Sequence, residues 1–382
     1  MTEVLEVILR ERIQTSGPIP FSEFMAQALY HPEHGYYSSG RAVIGRGGDF
    51  YTSVSVGPIF GRVLARQFVE MWERLDRPEG FTIVEQGAHG GDFARDVLEA
   101  LQTHAPDFHG GLRYQIVEPS PGLRQRQIAS LKNFTGQVFW TEDLQQIPEW
   151  IGVHFSNELL DAMPPHRVRW TGTEWRELYV GMDGEVFTWQ EVPLSESPAL
   201  HARIAQIPVP LPPGYETEIN LAAETWLCEV TARLKRGWVL AIDYGHPRSD
   251  FFRPDRQGGT LAGYSEHKRV ENPLARPGAV DLTTHVEFTS IAEQAQRCGL
   301  ELAGFTDQHH FMVGLSRLHF SDSSGPMSAE QEHDLRGFKT LMHPGLMGMS
   351  FKAIALSKGV ESNPPLAGFV FARDAAQELG LR

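Results

Sequence analysis

Four short apolar runs constrain the fold of this chain more than any other feature of its sequence. The runs are Phe81 to Val84, Tyr114 to Val117, Ile151 to Phe155 and Trp238 to Ile242, and helical patterns follow several of them. Alternating strands and helices are typical of a parallel sheet that is covered by helices on both faces. The chain is therefore expected to form an α/β core.

The region before this core favours helices. Apolar residues recur at helical spacing within Met1 to Gly17, Phe21 to Leu29 and Pro58 to Leu75. Such spacing predicts amphipathic helices. A long glycine-rich and aromatic loop is expected between His31 and Val56.

A second region interrupts the alternation inside the core. Between Arg167 and Val192, apolar and polar residues alternate around the turn residues Met182-Asp183-Gly184, which predicts a β-hairpin. A helix is expected from about Ile219 to Lys235. We interpret this region as an insertion. The expected domains are an N-terminal helical and loop region (1–77), a core (78–163 and 236–358), an inserted substrate lobe (164–235) and a C-terminal tail (359–382).

Composition limits the classes of partner. The chain has 382 residues, of which 41% are hydrophobic and 21% charged, as is typical of a folded protein with a full-sized core. Its formal net charge is -14, and its Lys and Arg residues form no basic block. Because phosphate binding requires clustered positive charge, we expect no nucleic-acid partner. The excess of acids favours a cationic partner instead.

Hydropathy favours a cytoplasmic protein. No apolar run approaches the roughly 20 residues of a membrane span, so no membrane insertion is expected. Met1 to Gly17 is amphipathic and no small-residue cleavage site follows it, so this segment is predicted to be a folded helix.

Neither a disulfide nor a metal site is expected. Cys228 and Cys298 are far apart in sequence and lie in helical patterns, which favours two buried free thiols. Four further histidines match no metal-ligand spacing; they are His309, His310, His333 and His343.

Acidic residues follow nearly every predicted strand. They are Glu85, Glu118, Asp143, Glu158 (beside Asn157) and Asp243. Ligands of open α/β sheets bind at the carboxyl ends of the strands, so these acids are expected to line the site. The glycine turn Gly87 to Gly91 has neither the dinucleotide spacing G-x-G-x-x-G nor a P-loop lysine. A ligand with positive charge and ribose hydroxyls suits such a site, and S-adenosylmethionine is one.

Several ordered segments strengthen this interpretation. They are GPIPFSEFMAQALYHPEHGYY (17–37), GGDFYTS (47–53), VEQGAHGG (84–91), VEPSPGLRQRQ (117–127), SNELLDAMPPHR (156–167), AIDYGH (241–246), DLTTHVEFTSI (281–291) and MGMSFKAIALSK (347–358). Together they resemble the MidA-like class I methyltransferases. That family includes a mitochondrial complex I assembly factor that methylates an arginine of a complex I subunit.

The resemblance implies a fold and a set of cofactor residues. The fold is a Rossmann-like, seven-stranded, mostly parallel sheet with helices on both faces, an N-terminal helical extension and an inserted lobe. By position, the loop beneath the methionine moiety comprises Glu85, Gly87 and Gly91, the ribose is bound by Glu118, the adenine is flanked by Asp143 and Leu144, the cofactor is covered by Tyr36 and Thr52, and Asn157 completes the set.

Two positions depart from the family pattern. His89 occupies the middle glycine of a loop that usually reads G-x-G-x-G-T, and Gly90 supplies a glycine one position later. A histidine at positive φ costs on the order of 1 kcal/mol, and its ring fills space that glycine leaves to the ligand. After Ser53, the family commonly has a proline and a glutamate, whereas here Val54 and Ser55 follow.

The predicted catalytic residues are acids. A guanidinium acceptor is protonated at neutral pH, so carboxylates must bind it and localise its charge. We expect a helix after the fourth strand, and the i, i+3 spacing of Glu158 and Asp161 at its start places both side chains on one helical face. Glu218 is a weaker third candidate, with a charge at a helix N-terminus as its alternative role.

Three functions remain open from the sequence. The first is a protein arginine methyltransferase, and the second is a methyltransferase of a small or biosynthetic molecule. The third is a weakly catalytic relative that binds a partner and assists assembly. The expected partner is a cationic protein or small-molecule methyl acceptor, and a homodimer is left open.

Overall fold

A computed structural model describes residues 2–39, 53–208, 210–265, 268–319 and 328–381. The helices are α1 (Thr2–Ser16), α2 (Phe21–Tyr30), α3 (Ile59–Arg74), α4 (Asp92–His104), α5 (Pro106–Gly111), α6 (Pro121–Ser130), α7 (Pro198–Ile204), α8 (Leu221–Arg233), α9 (Arg248–Phe251), α10 (Phe288–Arg297), α11 (Gln308–His319), α12 (Ala329–Met342) and α13 (Ala375–Glu378). The strands are β1 (Ile19–Pro20), β2 (Thr82–Gln86), β3 (Arg113–Val117), β4 (Val138–Thr141), β5 (Trp150–Asn157), β6 (His166–Trp170), β7 (Trp175–Asp183), β8 (Val186–Pro193), β9 (Tyr215–Ile219), β10 (Leu234–His246), β11 (Ala262–Ser265), β12 (Lys268–Arg269), β13 (Asp281–Thr283), β14 (Val286–Glu287), β15 (Glu301–Asp307) and β16 (Phe351–Lys358).

The chain divides into two compact units. The lobe unit comprises residues 1–50, 160–225 and 246–288, and the sheet unit comprises 51–159, 226–245 and 289–382. These boundaries group the N-terminal helices with the residues after β5. The functional role predicted for 164–235, as a substrate lobe, stays a prediction.

The sheet unit is built on strands that pair in the order β4-β3-β2-β5-β10-β16-β15. The first five of these run parallel, whereas β16 is antiparallel to both β10 and β15. This arrangement confirms the predicted α/β fold with a mostly parallel sheet. From β2 the chain moves outward to β3 and β4, and then returns to the other side of β2 with β5 and β10. The order therefore reverses between β2 and β5, and ligands bind at such a switch point.

Helices cover both faces of this sheet, as the alternation along β5 demonstrates. The Phe155 ring stacks on Phe93 of α4, with centroids 4.4 Å apart, and meets Phe68 of α3 at 5.8 Å. The neighbouring side chain of His154 points to the opposite face, because successive side chains of a strand alternate. Its ring meets Trp226 of α8 edge to face at 5.3 Å.

The lobe unit contains antiparallel strands. β1, β7, β6 and β9 pair in that order, and β8 adds to β7. The β7–β8 pair is the predicted hairpin, with Asp183 opposite Val186 across a turn that contains Gly184. Positive φ at Gly184 (59°) fits the glycine that the turn pattern indicated. β11, β12 and β13 form a second, small antiparallel sheet.

The prediction of a helix directly after β5 is wrong. The chain turns there: Glu158 has φ 53°, and the amide of Met163 donates to the Leu160 carbonyl at 3.2 Å. The backbone at Glu158 still pairs with β10, because the Glu158 amide donates to the Ile242 carbonyl at 2.9 Å. A helix that began at Glu158 would reach Pro164 and Pro165 within two turns. It would end there, because proline lacks an amide donor.

The prediction of free cysteines is also wrong. Cys228 of α8 and Cys298, which follows α10, form a disulfide with their Cα atoms 5.7 Å apart. They are separated by 70 residues in sequence. Only the packing of α8 and α10 brings the two sulfur atoms together, and sequence spacing carries no information about that packing.

Candidate cofactor site

The glycine loop between β2 and α4 turns through three left-handed residues. They are Gly87 (φ 84°), His89 (φ 44°) and Gly91 (φ 82°). The positive φ that the family pattern predicted for His89 is therefore present. Glycine is favoured at Gly91 because its φ of 82° would strain a residue with a Cβ.

Glu118 lies at the end of β3 with its carboxylate held on both sides. Oε1 accepts from the Ser120 amide at 2.9 Å, and Oε2 accepts from Gln127 Nε2 at 2.9 Å. Burial raises the pKa of Glu118, and these two donors partly offset that effect. A carboxylate offers about four acceptor positions, so positions remain for ribose hydroxyls.

Gln127 of α6 is a residue that the sequence analysis missed. Besides Glu118, its Nε2 donates to the His89 carbonyl at 2.8 Å, and its Oε1 accepts from Trp140 Nε1 at 3.0 Å. The helix pattern contained a usable indication: Gln127 follows Leu123 by four residues, and both are buried on one face of α6. A polar residue on a buried helix face needs hydrogen-bond partners. Gly87 to Gly91, Glu118 and Gln127 are called the cofactor cradle below.

Glu85 occupies a different environment from the other strand-end acids. Its side chain is buried and accepts a hydrogen bond from Tyr114 Oη at 2.8 Å. Burial raises the pKa of Glu85 to about 8, although the hydrogen bond acts in the opposite direction. The carboxyl group is therefore largely protonated at neutral pH and contributes little negative charge.

The residues predicted to flank the adenine follow β4. Asp143 is exposed and caps a short 3-10 turn through a hydrogen bond from the Gln145 amide at 2.8 Å. Leu144, the next residue, is buried. An apolar side chain beside a polar cap suits an adenine ring, and this role stays a prediction.

The carboxyl end of β5 brings further polar groups to the switch point. Glu158 Oε1 accepts from Asn157 Nδ2 at 2.8 Å and from the Ser53 amide at 3.4 Å. The Leu159 amide donates to Asp243 Oδ2 of β10 at 3.1 Å. Asn157 Oδ1 is buried and accepts no hydrogen bond within the described part of the chain.

Four other predicted site residues are not among the residues that the structure describes in the sheet unit. Tyr36 belongs to the lobe unit, where it is buried in the apolar cluster of α1 and α2. Asp161 is also buried there, and its carbonyl accepts from the Thr284 amide at 2.9 Å. Glu218 lies within β9. Thr52 lies outside the described residues.

Other residues of the protein, Thr260 and Arg167, surround the Glu218 carboxylate. Oε2 accepts from the amide and the hydroxyl of Thr260, both at 2.8 Å. Oε1 lies 3.8 Å from Arg167 Nε. The alternative of a helix N-terminal charge is wrong, because Glu218 is inside a strand and α8 starts three residues later.

The cradle and the β5 end fit S-adenosylmethionine chemically. The ribose hydroxyls can donate to Glu118, and an ammonium or hydroxyl donor would satisfy the buried Asn157 Oδ1. The exposed backbone of Gly87 allows close approach to the loop.

Comparison with known proteins decides the family. Residues 63–306 match the model of a family of S-adenosyl-L-methionine-dependent methyltransferases. The chain belongs to this methyltransferase family. Its cofactor is therefore S-adenosyl-L-methionine, as predicted.

A solved structure supports the assignment at the level of the fold. The crystal structure of a Burkholderia thailandensis protein bound to S-adenosyl-homocysteine matches with a TM-score of 0.86 and 32% identity. The match covers 97% of this chain and 95% of that protein.

Two curated relatives carry a more specific name. The Drosophila melanogaster protein arginine methyltransferase NDUFAF7 homolog, mitochondrial, is 30% identical over 92% of this chain and 84% of its own length. The human protein arginine methyltransferase NDUFAF7, mitochondrial, is 29% identical over 91% of this chain and 82% of its own length.

These names contradict the predicted cytoplasmic location, because the relatives are mitochondrial proteins. Composition and hydropathy distinguish membrane spans from folded segments, but they do not distinguish one aqueous compartment from another. Among the helices in the described ranges, none has the length and apolar character needed to cross a membrane. Within the same ranges, no group of three or more His, Cys, Asp or Glu side chains is placed to hold a metal ion.

Proposed function

We propose that this methyltransferase acts on an arginine side chain of a protein. The observation that carries the proposal is the extent of the match to relatives named as protein arginine methyltransferases. The alignments include at least 91% of this chain and 82% of each of the two relatives described above. The likeness therefore extends beyond the cofactor-binding core to the residues of the lobe unit.

The chemistry of an arginine acceptor supports a role for Glu158. The bound cofactor supplies an electrophilic methyl group on a sulfonium. The guanidinium of arginine is protonated and delocalised at neutral pH, so a carboxylate must hold it and localise its charge. Glu158 lies at the switch point, and donors from Asn157 and Ser53 orient its carboxylate. We infer that Glu158 binds the acceptor, whereas Glu118 serves the cofactor.

The lobe unit also buries two carboxyl groups, those of Asp161 and Asp281, which would suit a cationic acceptor. Tyr37 Oη donates to Asp281 Oδ1 at 2.8 Å. Burial raises the pKa of Tyr37 and of Tyr30, and the carboxylates of Asp281 and Asp161 raise both further. Both carboxylates therefore act on the same two tyrosines. We propose that Asp161 and the segment 164–235, which was predicted to be a substrate lobe, belong to the acceptor-binding region.

The direct test is methyl transfer with isotopically labelled S-adenosylmethionine. The purified protein is incubated with arginine-containing peptides and proteins, with matched peptides that carry lysine at the same position, and with small hydroxyl or carboxyl acceptors. Mass spectrometry then locates the label. We expect methylarginine in the arginine substrates only, and less label with the Glu118→Ala variant at a limiting cofactor concentration.

Two other results would reject the proposal. Label on a hydroxyl or carboxyl group would favour the small-molecule methyltransferase. Tight cofactor binding without methylation of any acceptor would favour the weakly catalytic relative. Calorimetry with S-adenosyl-homocysteine separates this last case from a protein that simply fails to bind the cofactor.

A further inference from the structure

The Gln127 side chain joins the ends of three parallel strands. It is completely buried, and its two amide hydrogens are directed at the His89 carbonyl after β2 and at Glu118 Oε2 at the end of β3. Its carbonyl oxygen accepts from Trp140 of β4. The primary amide thus has a partner for both donors and for its acceptor, which leaves the side chain one orientation.

The first of these partners is the strained residue of the glycine loop. His89 has φ 44°, a conformation that costs a residue with a Cβ on the order of 1 kcal/mol. The hydrogen bond from Gln127 Nε2 holds the carbonyl of that residue at 2.8 Å. In addition, Gln127 packs directly below Gly91, where a Cβ would lie 3.5 Å from Gln127 Cγ. Gln127 therefore supports the loop through a hydrogen bond and through packing.

The second partner is the acid assigned to the ribose. Glu118 could rotate about its side-chain bonds if only the Ser120 amide held it. Gln127 binds the other oxygen, so the plane of the carboxylate is fixed by two donors. Two acceptor positions in a fixed plane are what recognition of adjacent hydroxyl groups requires.

We propose that Gln127 is a positioning residue for the cofactor, which couples the left-handed turn at His89 to the orientation of Glu118. It acts through these two partners and not by contact with the reacting methyl group. Gln127 thereby compensates for a histidine at a loop position where the family commonly has glycine. This inference rests on the cofactor assignment and is independent of the identity of the methyl acceptor.

The central test removes the side-chain amide of Gln127 and keeps the length of the side chain. Gln127→Met retains a similar length without any hydrogen-bonding group, and Gln125→Met on the exposed face of α6 is the matched control. Because a hydrogen bond to a charged group is lost, we expect the dissociation constant for S-adenosyl-homocysteine to rise about tenfold in Gln127→Met. Isothermal calorimetry measures it. KM for the cofactor should rise while kcat changes little, and the control should match the wild type.

A double-mutant cycle with His89→Gly tests the proposed coupling. Glycine adopts positive φ without the Cβ penalty, so the loop then needs less support. The loss of affinity caused by Gln127→Met should therefore be smaller in the His89→Gly background than in the wild type. Equal losses in the two backgrounds would overturn the coupling between Gln127 and the turn.

A purely structural role for Gln127 predicts a different outcome. In that case Gln127→Met lowers the melting temperature without cofactor but leaves the affinity of the folded protein unchanged, and this result would overturn the proposal. If Gln127→Met does not fold, Trp140→Phe serves instead, because it removes the donor that fixes the amide. We then expect affinity to fall by about threefold, a loss typical of one neutral hydrogen bond. Unchanged affinity in Trp140→Phe would equally overturn the proposal.

Discussion

The carboxyl ends of β2 and β5 lie side by side in the sheet, yet they are held in place in different ways. In the cofactor cradle, Gln127 contacts Glu118 nine residues earlier and His89 38 residues earlier. At the β5 end, Glu158 accepts from Ser53 across 105 residues, and Leu159 donates to Asp243 across 84. The cradle is thus organised by a strand-helix-strand segment, whereas the β5 end depends on distant parts of the chain.

The two ends also differ in which residues adopt a left-handed backbone conformation. Two of the three left-handed residues in the glycine loop are glycines, which adopt this conformation without strain. At the β5 end the left-handed residue is Glu158, whose carboxylate accepts hydrogen bonds from Asn157 and Ser53. Strain at the β5 end therefore accompanies a charged group, as is common where a side chain must be aimed at a ligand. We propose that Glu118 of the cradle acts on cofactor affinity and that Glu158, at the β5 end, acts on turnover.

The largest expected effect tests this assignment on cofactor binding. Glu118→Ala removes the charged acceptor of the ribose hydroxyls and should weaken S-adenosyl-homocysteine binding by about 1 to 3 kcal/mol. Glu158→Ala should leave the same affinity nearly unchanged. Calorimetry on both variants decides the matter, and equal losses would mean that Glu158 also binds the cofactor.

The next effect concerns turnover. Glu158→Gln retains the shape and the acceptor for Asn157 but removes the charge. If the carboxylate binds a guanidinium, kcat should fall at least about tenfold, or 1.4 kcal/mol, with cofactor affinity preserved. Single-turnover kinetics with an arginine substrate measures the chemical step. Full activity of Glu158→Gln would remove the β5 end from the acceptor site.

A third effect tests the charge state of the acid in β2. The pKa of Glu85 is about 8 in the folded protein, above its ordinary value of 4.5. Its contribution to stability is therefore complete below pH 4.5 and is lost as the pH rises through 8. Glu85→Gln keeps an acceptor for Tyr114 and does not titrate. Relative to the wild type, its free energy of unfolding should increase by more than about 1 kcal/mol between pH 5 and pH 8.

Urea unfolding at the two pH values measures this difference. Glu99→Gln, at an exposed position of α4, is the control and should show no comparable change. A Glu85→Gln variant that follows the wild type at both pH values would show that Glu85 is ionised. Glu85 would then add to the negative charge of the site, contrary to its assignment as a neutral group.

The smallest effect isolates the backbone strain at the β5 end. Glu158→Gly and Glu158→Ala both delete the carboxylate, so their difference combines the strain of the left-handed conformation with the greater freedom of glycine in the unfolded chain. We expect the glycine variant to be more stable by about 1 kcal/mol. Thermal unfolding without cofactor provides the comparison. An alanine variant as stable as the glycine variant would mean that the backbone at this residue relaxes at no cost.

Prediction from sequence succeeded where a pattern depends on neighbouring residues. The hairpin formed because alternating residues flank a turn with glycine at position 184, and four of the five parallel strands overlap the four apolar runs. It failed after β5, where the alternation of strands and helices suggested a helix that carries Glu158 and Asp161. Backbone pairing with β10 and the Pro164-Pro165 pair outweighed that pattern.

The sequence by itself determined the alternation of strands and helices, the glycine turn and the acid that follows β3, because each is encoded within a few consecutive residues. Only the tertiary structure decided four other features: the Cys228–Cys298 disulfide, the raised pKa of Glu85, the turn at Glu158 and the bridging role of Gln127. Each depends on which elements pack together. Burial sets the pKa of a carboxyl group, and packing brings distant partners within hydrogen-bonding distance. A local pattern carries neither kind of information.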